Sequence, residues 1–424
     1  MAFLLTLLYI ALTVLSPAEL FPELGPYRIM LWLGLVAILG SAGGFFGAPW
    51  LKQPQFHLML GIVAAICLSR LLNGWFGGVG SALTRFLPAA IVFFLVLWNV
   101  TSVARLRWLG ATLILIAIYY IVQGAVAYHG GDETSPFVYV QRVPVGGNEA
   151  VLISYLRIRA LGFLNDPNDF AQFLLMLLPF AFTVWKKGKA VRNFCLCLAP
   201  AAALLYGIYM TNSRGALLAL AVLVIFLLKE RLGTRRGALF APVAVVLILA
   251  LNQSGRAISV HEDSALGRIN AWSDGLGMFQ SSPLWGIGYG LFTDHHELTA
   301  HNSFVLCLSE LGLMGSFVWL GLLVACVLYL QDSARRCAAA GDRETGRWAL
   351  ALRLSLYTTL TTCWFLSRTY SLPLYLLLGM TAALSVQTAH LAPAGPQAAR
   401  WPWVTAMLLP ALIAMVYVTV RMRA

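Results

Sequence analysis

Acidic residues are scarce in this 424-residue chain, with 17 Asp and Glu against 29 Lys and Arg, and only 11% of its positions are charged. So few charges do not suit a water-soluble surface, whereas 60% hydrophobic residues suit a lipid environment. Strand-like alternation of polar and apolar residues is missing, which argues against an outer-membrane barrel. There is no GxSxG elbow to suggest a covalent acyl or glycosyl intermediate. The seven cysteines lie mostly within apolar runs as packing residues, and Cys195-x-Cys197 has neither redox nor zinc spacing. No internal repeat and no low-complexity segment is visible. The start, MAFLLTLLYIALTVLS, lacks a basic n-region and a small-x-small cleavage site, so it reads as a first membrane helix rather than a signal peptide.

What the chain does contain is apolar runs near the length of about 17–25 residues that a bilayer core requires. Thirteen segments read as spans, some shorter and one longer than that: 3–16, 28–47, 56–73, 86–100, 108–128, 167–185, 194–210, 215–230, 237–252, 303–330, 348–366, 371–389 and 403–420. Backbone groups in lipid must be satisfied internally, so each reads as a helix, and the fold class is an all-α polytopic membrane protein. An odd count puts the tail Arg421–Arg423 outside, against the charge rule, so 12–13 transmembrane helices is the expectation. KKGKAVR (186–192), KERLGTRR (229–236) and ARRCAAAGDRETGR (334–347) are basic connections and face the cytoplasm by the positive-inside rule. The alternate connections carry most of the acids, including Asp132, Glu133, Asp166, Asp169, Glu262, Asp274, Asp294 and Glu297, and face outward. The +12 charge is thus spent on anchoring, and a nucleic-acid partner is excluded. Two outward connections are long, 129–166 and 253–302, and the second is apolar enough to fold partly against the bundle. Three regions follow: N-terminal helices 1–128, a core 129–330 holding both long connections, and C-terminal helices 331–424.

Three outward corners hold the residues with chemical potential. In RIRALGFLNDPNDFAQFLL (157–175), Asp166 followed by Pro167 reads as an N-cap with proline in the first helical position; Arg157 and Arg159 precede it. In YMTNSRGALLALAVLVIF (209–226), Asn212 or Ser213 caps a helix and places Arg214 in its first turn. A cation there opposes the helix macrodipole and asks for an anionic partner. The third corner runs from Arg268 to His301, after which Asn302 or Ser303 caps the helix that re-enters the membrane. GIGYG (286–290) lacks the strand–helix setting of a nucleotide fingerprint and reads as a flexible hinge. Arg70 and Arg353 are the only basic residues well inside apolar runs.

The crowded stretch DHHELTAH (294–301) invites a metal reading, but HHxxxxH is not HExxH, and His295 and His296 point to different sides of any regular element. His301 differs because a cap fixes it at a helix mouth. Arginines at helix ends make a clamp for a phosphate or pyrophosphate through planar bidentate contacts. Such a clamp could neutralise a leaving pyrophosphate without Mg²⁺. No metal and no cofactor is expected.

The ordered motifs RALGFLNDPNDFA (159–171), NSRGALLAL (212–220), G-R-x3-W (267–272), SPLWGIGYG (282–290) and HNSFVLCLSELGLMG (301–315) resemble the O-antigen ligase and polymerase superfamily of bacterial inner-membrane enzymes. The resemblance covers roughly residues 155–330. It implies a metal-independent glycosyltransferase with a GT-C-like helical bundle and a periplasmic active site. The implied donor is a glycan on undecaprenyl pyrophosphate. The implied acceptor is lipid A–core oligosaccharide for a ligase, another lipid-linked repeat for a polymerase, or a protein for an oligosaccharyltransferase. Carried across, His301 matches the histidine that deprotonates the acceptor hydroxyl, and Arg214 and Arg268 match arginines that engage the pyrophosphate. Arg159 matches a further one, for which Arg157 could substitute. The resemblance favours the ligase, because polymerases carry two outward loops of comparable weight and here the loop ending at His301 dominates. From another class, a small-anion transporter would show repeated halves and mid-membrane charges.

Overall fold

The computed structural model describes residues 1–42, 48–145, 148–249, 263–392 and 395–422. Glu262, Arg423 and the ends 43–47 and 250–252 of two expected spans lie outside these residues. Helices of ten residues or more are α1 (Ala2–Leu15), α2 (Ile29–Ser41), α3 (Pro54–Leu72), α4 (Gly78–Asn99), α5 (Val103–Gly130), α6 (Pro167–Leu177), α7 (Ala199–Met210), α8 (Arg214–Leu232) and α9 (Thr234–Leu249). They continue as α10 (Asp263–Ser281), α11 (Ser303–Ala340), α12 (Arg343–Cys363), α13 (Leu372–Thr388) and α14 (Trp401–Arg421). Helix therefore occurs in every expected apolar segment, and the all-α polytopic class holds. Among the described residues six helical stretches are long and apolar enough to cross a membrane: Pro54–Leu72, Gly78–Asn99, Val103–Gly130, Ala190–Met210, Ser303–Ala340 and Ala398–Arg421.

One element departs from the expectation. The first long connection folds into an antiparallel hairpin, β1 (Val138–Val145) and β2 (Asn148–Ile158), with Tyr139 opposite Arg157. Its strands are rich in valine and isoleucine but do not alternate strictly, so periodicity alone does not announce them.

The chain divides into two compact units. The first comprises Met1–Gly40, Ala104–Gly255 and Leu354–Thr362. Its helices close on small residues: a Cβ on Gly207 would fall 2.7 Å from Ile121 Cγ1, and one on Gly124 would fall 3.0 Å from Ile158 Cβ. Glycine thus lets α7 and the end of β2 approach α5 closely. Buried polar groups pair across this unit, since an unpaired one in lipid is costly. Tyr120 donates to the Val14 carbonyl at 3.1 Å, Ser355 donates to the Met176 carbonyl at 2.6 Å, and Gln172 pairs with Thr362.

The second unit comprises Ser41–Val103, Arg256–Arg353 and Cys363–Ala424. Its longest element, α11, breaks at Gly312, where φ is 62° and ψ is −163°. The segment 282–290 fills the break by exchanging backbone hydrogen bonds with it. Ile287 and Gly288 donate to the carbonyls of Ser309 and Glu310 at 2.9 and 3.1 Å, while Leu313 and Met314 donate to Pro283 and Leu284 at 2.8 and 3.2 Å. A Cβ on Gly312 would lie 2.5 Å from the Gly286 nitrogen, so the exchange depends on glycine. GIGYG is therefore not the flexible hinge that its composition suggests. It is a fixed insert that satisfies the groups freed by a broken helix, the condition under which such breaks survive at membrane depth.

Candidate functional site

Of the five candidate residues, Arg157, Arg159 and Arg214 belong to the first unit, and Arg268 and His301 to the second. In the first unit α7 ends at Met210, Asn212 turns into the left-handed region with φ 48°, and Ser213 caps α8 by accepting from the Ala216 amide at 3.4 Å. Asparagine tolerates that backbone better than most residues. Arg214 follows as the first helical residue and is half-buried. The expected Asp166 cap also forms, accepting from the Asn168 amide at 2.7 Å ahead of Pro167.

The two hairpin arginines have different surroundings. Arg157 is 8% exposed and divides its donors among the Thr211 carbonyl at 2.7 Å, Gln141 Oε1 at 3.1 Å and Asn168 Oδ1 at 3.0 Å. It thereby ties β2 to the start of α6 and to the corner that carries Arg214. Arg159 is half-buried and donates to the carbonyls of Pro136 and Asn165 at 3.0 and 3.4 Å. Beside this corner lies a cavity of about 60 Å³ lined by Tyr128, His129, Leu156, Tyr206, Tyr209, Met210 and Asn212. His129 Nε2 and the Tyr206 hydroxyl are 2.7 Å apart on its wall.

In the second unit His301 itself occupies the left-handed region, with φ 47°. Asn302, the cap of α11, accepts from the amides of Phe304 and Val305 at 2.9 and 3.1 Å. On the other side of His301, the Ala300 carbonyl accepts from Trp272 Nε1 at 2.9 Å. Trp272 lies one helical turn after Arg268 on the same face of α10, so this bond sets the arginine's face against the segment that carries the imidazole. A Cβ on Gly267 would sit 3.7 Å from Leu298 Cδ1, extending that contact. Arg268 and His301 are both half-buried.

The mouth of α11 is further bound by the segment after α12. Ser303 Oγ donates to the Leu366 carbonyl at 2.6 Å and accepts from the Arg368 amide at 2.8 Å. Thr369 donates to the Ser303 carbonyl at 2.6 Å, and Trp364 packs against Trp272 and Phe304 with centroids 5.8 and 5.6 Å away. Sequence reasoning reaches Trp272 only as the end of the G-R-x3-W motif and Ser303 only as a possible cap, and it misses Trp364 altogether.

The neighbouring histidine is spent locally. His296 Nδ1 accepts from the Leu298 amide at 3.0 Å, and Nε2 lies 3.6 Å from Asp274 Oδ2. Among the described residues no group of three or more His, Cys, Asp or Glu is placed to hold a metal ion.

No curated protein matches the chain. Residues 199–320, a stretch that contains Arg214, Arg268 and His301, match a family model described as O-antigen ligase. The match covers under a third of the chain and falls on the same stretch as the ordered motifs at the helix mouths, so this part of the chain is similar to the O-antigen ligase family.

Proposed function

We propose that the protein is an O-antigen ligase of the bacterial inner membrane, transferring a glycan from undecaprenyl pyrophosphate to lipid A–core oligosaccharide at the periplasmic face. The observation that carries this reading is that Arg214, Arg268 and His301 all fall within the stretch matched to the O-antigen ligase family. His301 takes the proton of the acceptor hydroxyl, and the oxygen attacks the anomeric carbon. The bond from that carbon to the pyrophosphate oxygen breaks, and undecaprenyl pyrophosphate leaves with the electron pair. One displacement inverts the anomeric centre. Arg214 and Arg268 offset the charge growing on the leaving group, which a preorganised cation does without reorganising at the moment of reaction. Arg159 contributes more weakly, because its guanidinium already serves two carbonyls. Arg157 supports the same corner from beneath. The proton on His301 returns to solvent once the product departs, so no metal and no cofactor enters the cycle.

The positive-inside rule supports the periplasmic placement, since the basic connections 186–192 and 229–236 flank the opposite ends of these helices. A polymerase that joins lipid-linked repeats is the second reading. The observation favouring it is the hairpin of β1 and β2, which gives the first outward connection structure of its own. Purified protein, lipid-linked glycan and lipid A–core without added metal test the proposal. Glycan joined to the core supports the ligase, whereas product found only on a second lipid-linked repeat selects the polymerase. No glycosyl product with either acceptor removes the transferase reading.

A further inference from the structure

The second unit holds a pair of cations that the proposed reaction does not use. Arg70 lies in the last turn of α3, and Arg85 stands eight residues into α4. Both reach the glycine insert: a Cβ placed on Gly290 would lie 3.5 Å from Arg70 Nη2 and 3.6 Å from Arg85 Nη1. Two guanidinium groups from different helices thus approach one small volume beside Gly290, whose φ is 70° and which places no side chain between them.

Arg70 is only 3% exposed, yet its Nε and Nη1 find no hydrogen-bond partner. One face of its guanidinium is covered by the Trp75 ring, 4.5 Å from Cζ to the centroid, which orients the fork but leaves its N–H edges unused. Glu310 and Asp294 are the nearby carboxylates. Glu310 Oε1 accepts from the Phe292 amide at 3.2 Å, and among the described residues no ion pair closes on Arg70 or Arg85. Buried donors without acceptors are expensive unless something supplies the acceptor.

The surroundings are fixed. Asn73 Nδ2 donates to the Gly286 carbonyl at 2.8 Å, and the Tyr289 amide donates to Ser69 Oγ at 3.1 Å, so the insert is fastened to the last turn of α3. Tyr289 stacks edge-on against Tyr370 with centroids 4.5 Å apart.

We propose that Arg70 and Arg85, where both approach Gly290, form an oxyanion site that takes a phosphate group, separate from Arg214 and Arg268. A carboxylate presents a single edge of two oxygens, whereas a tetrahedral phosphate offers edges to two forks arriving from different helices. The site goes beyond the transfer reaction and does not depend on it. Its position at the junction of two apolar helices puts a lipid headgroup and a free phosphate within the same chemistry.

Isothermal titration of inorganic phosphate into the full chain tests this in dodecyl maltoside, a detergent without phosphate. The background is Arg214→Gln with Arg268→Gln, so the cations of the proposed reaction are already absent and failure of that reading leaves the result untouched. One phosphate per chain is expected. Arg85 is exposed, and Arg85→Gln should weaken binding at least about ten-fold with an unchanged melting temperature, the scale of one lost charge-assisted contact. Micelles doped with phosphatidic acid then identify the source: a headgroup in the site abolishes the phosphate heat, and a soluble ligand's site keeps it. Equal affinity in Arg85→Gln and its parent, or no saturable heat in the parent with no retained phosphatidic acid by native mass spectrometry, overturns the proposal.

Discussion

The corner ending in Arg214 and the corner ending in Ser303 are built on one plan. Each has a non-glycine residue in the left-handed region, Asn212 at φ 48° and His301 at φ 47°, followed by a polar cap and a helix start. In each, the carbonyl just before the left-handed residue accepts from a side-chain N–H of another element: Arg157 reaches Thr211, and Trp272 reaches Ala300. The difference lies in where the candidate side chain stands. Arg214 follows its cap and rides on the helix, whereas His301 precedes its cap and is itself the turning residue. An arginine has a long side chain that can find its anion from an approximate position. An imidazole is short, and its direction is set by its own backbone. The His301 corner is correspondingly the more tightly held, with two cap bonds at 2.9 and 3.1 Å against one at 3.4 Å, and with Ser303 bonded to the 366–369 segment. Reach and rigidity substitute for each other.

If that contrast is functional, the largest effect belongs to His301→Ala. Transfer should fall by about 10²–10⁴-fold, the usual share of a general base, while membrane insertion stays intact. Substantial surviving transfer in the purified variant would exclude His301 as the base. Next in size is Arg214→Lys, with an expected loss of about ten- to a hundred-fold. The charge survives but the planar fork does not, so the loss stays below the about 10²–10³ of removing a preorganised donor outright. Full activity after that change would dissociate Arg214 from the pyrophosphate.

Much of this contrast is legible in the amino-acid sequence. Capping chemistry is local, so Asp166 is placed at a helix start from the residues around it, and the other two caps are narrowed to Asn212 or Ser213 and to Asn302 or Ser303, of which the structure selects Ser213 and Asn302. Three features are not legible there, each because it depends on residues distant along the chain. The hairpin 138–158 lacks strict alternation, and its pairing is set by a partner strand rather than by periodicity. The glycine run 286–290 has the composition of a hinge, and only the broken helix at Gly312, with its exchanged hydrogen bonds, makes it rigid. Arg70 stands out as a basic residue in an apolar run, but Arg85 does not, since nothing in its own neighbourhood signals that both approach Gly290.

Smaller effects sharpen the comparison by removing the caps themselves. Asn302→Ala should destabilise by about 1–2 kcal/mol and also lower the transfer rate, because the imidazole loses its reference frame. Ser213→Ala should cost about 0.5 kcal/mol, the low end for a cap, and leave transfer nearly unchanged, because Arg214 can compensate by reach. Melting curves and initial rates on the same preparations check both. Equal rate losses in the two variants would mean that the corners tolerate displacement alike and that their different rigidity has no catalytic meaning.

The smallest expected effect is that of EDTA, which should leave the transfer rate unchanged. In the proposed mechanism, guanidinium groups offset the charge of the departing pyrophosphate. Arg214 and Arg268 are covalently part of the chain and cannot be chelated, so that contribution would be the same with or without free divalent ions. A loss in EDTA that Mg²⁺ restores would move the offsetting charge from the arginines to an ion. Arg214 would then be a residue that a neighbouring acceptor merely tolerates at the positive end of a helix. Only the corner that holds His301 would remain reactive, and the shared plan of the two would reflect folding rather than chemistry.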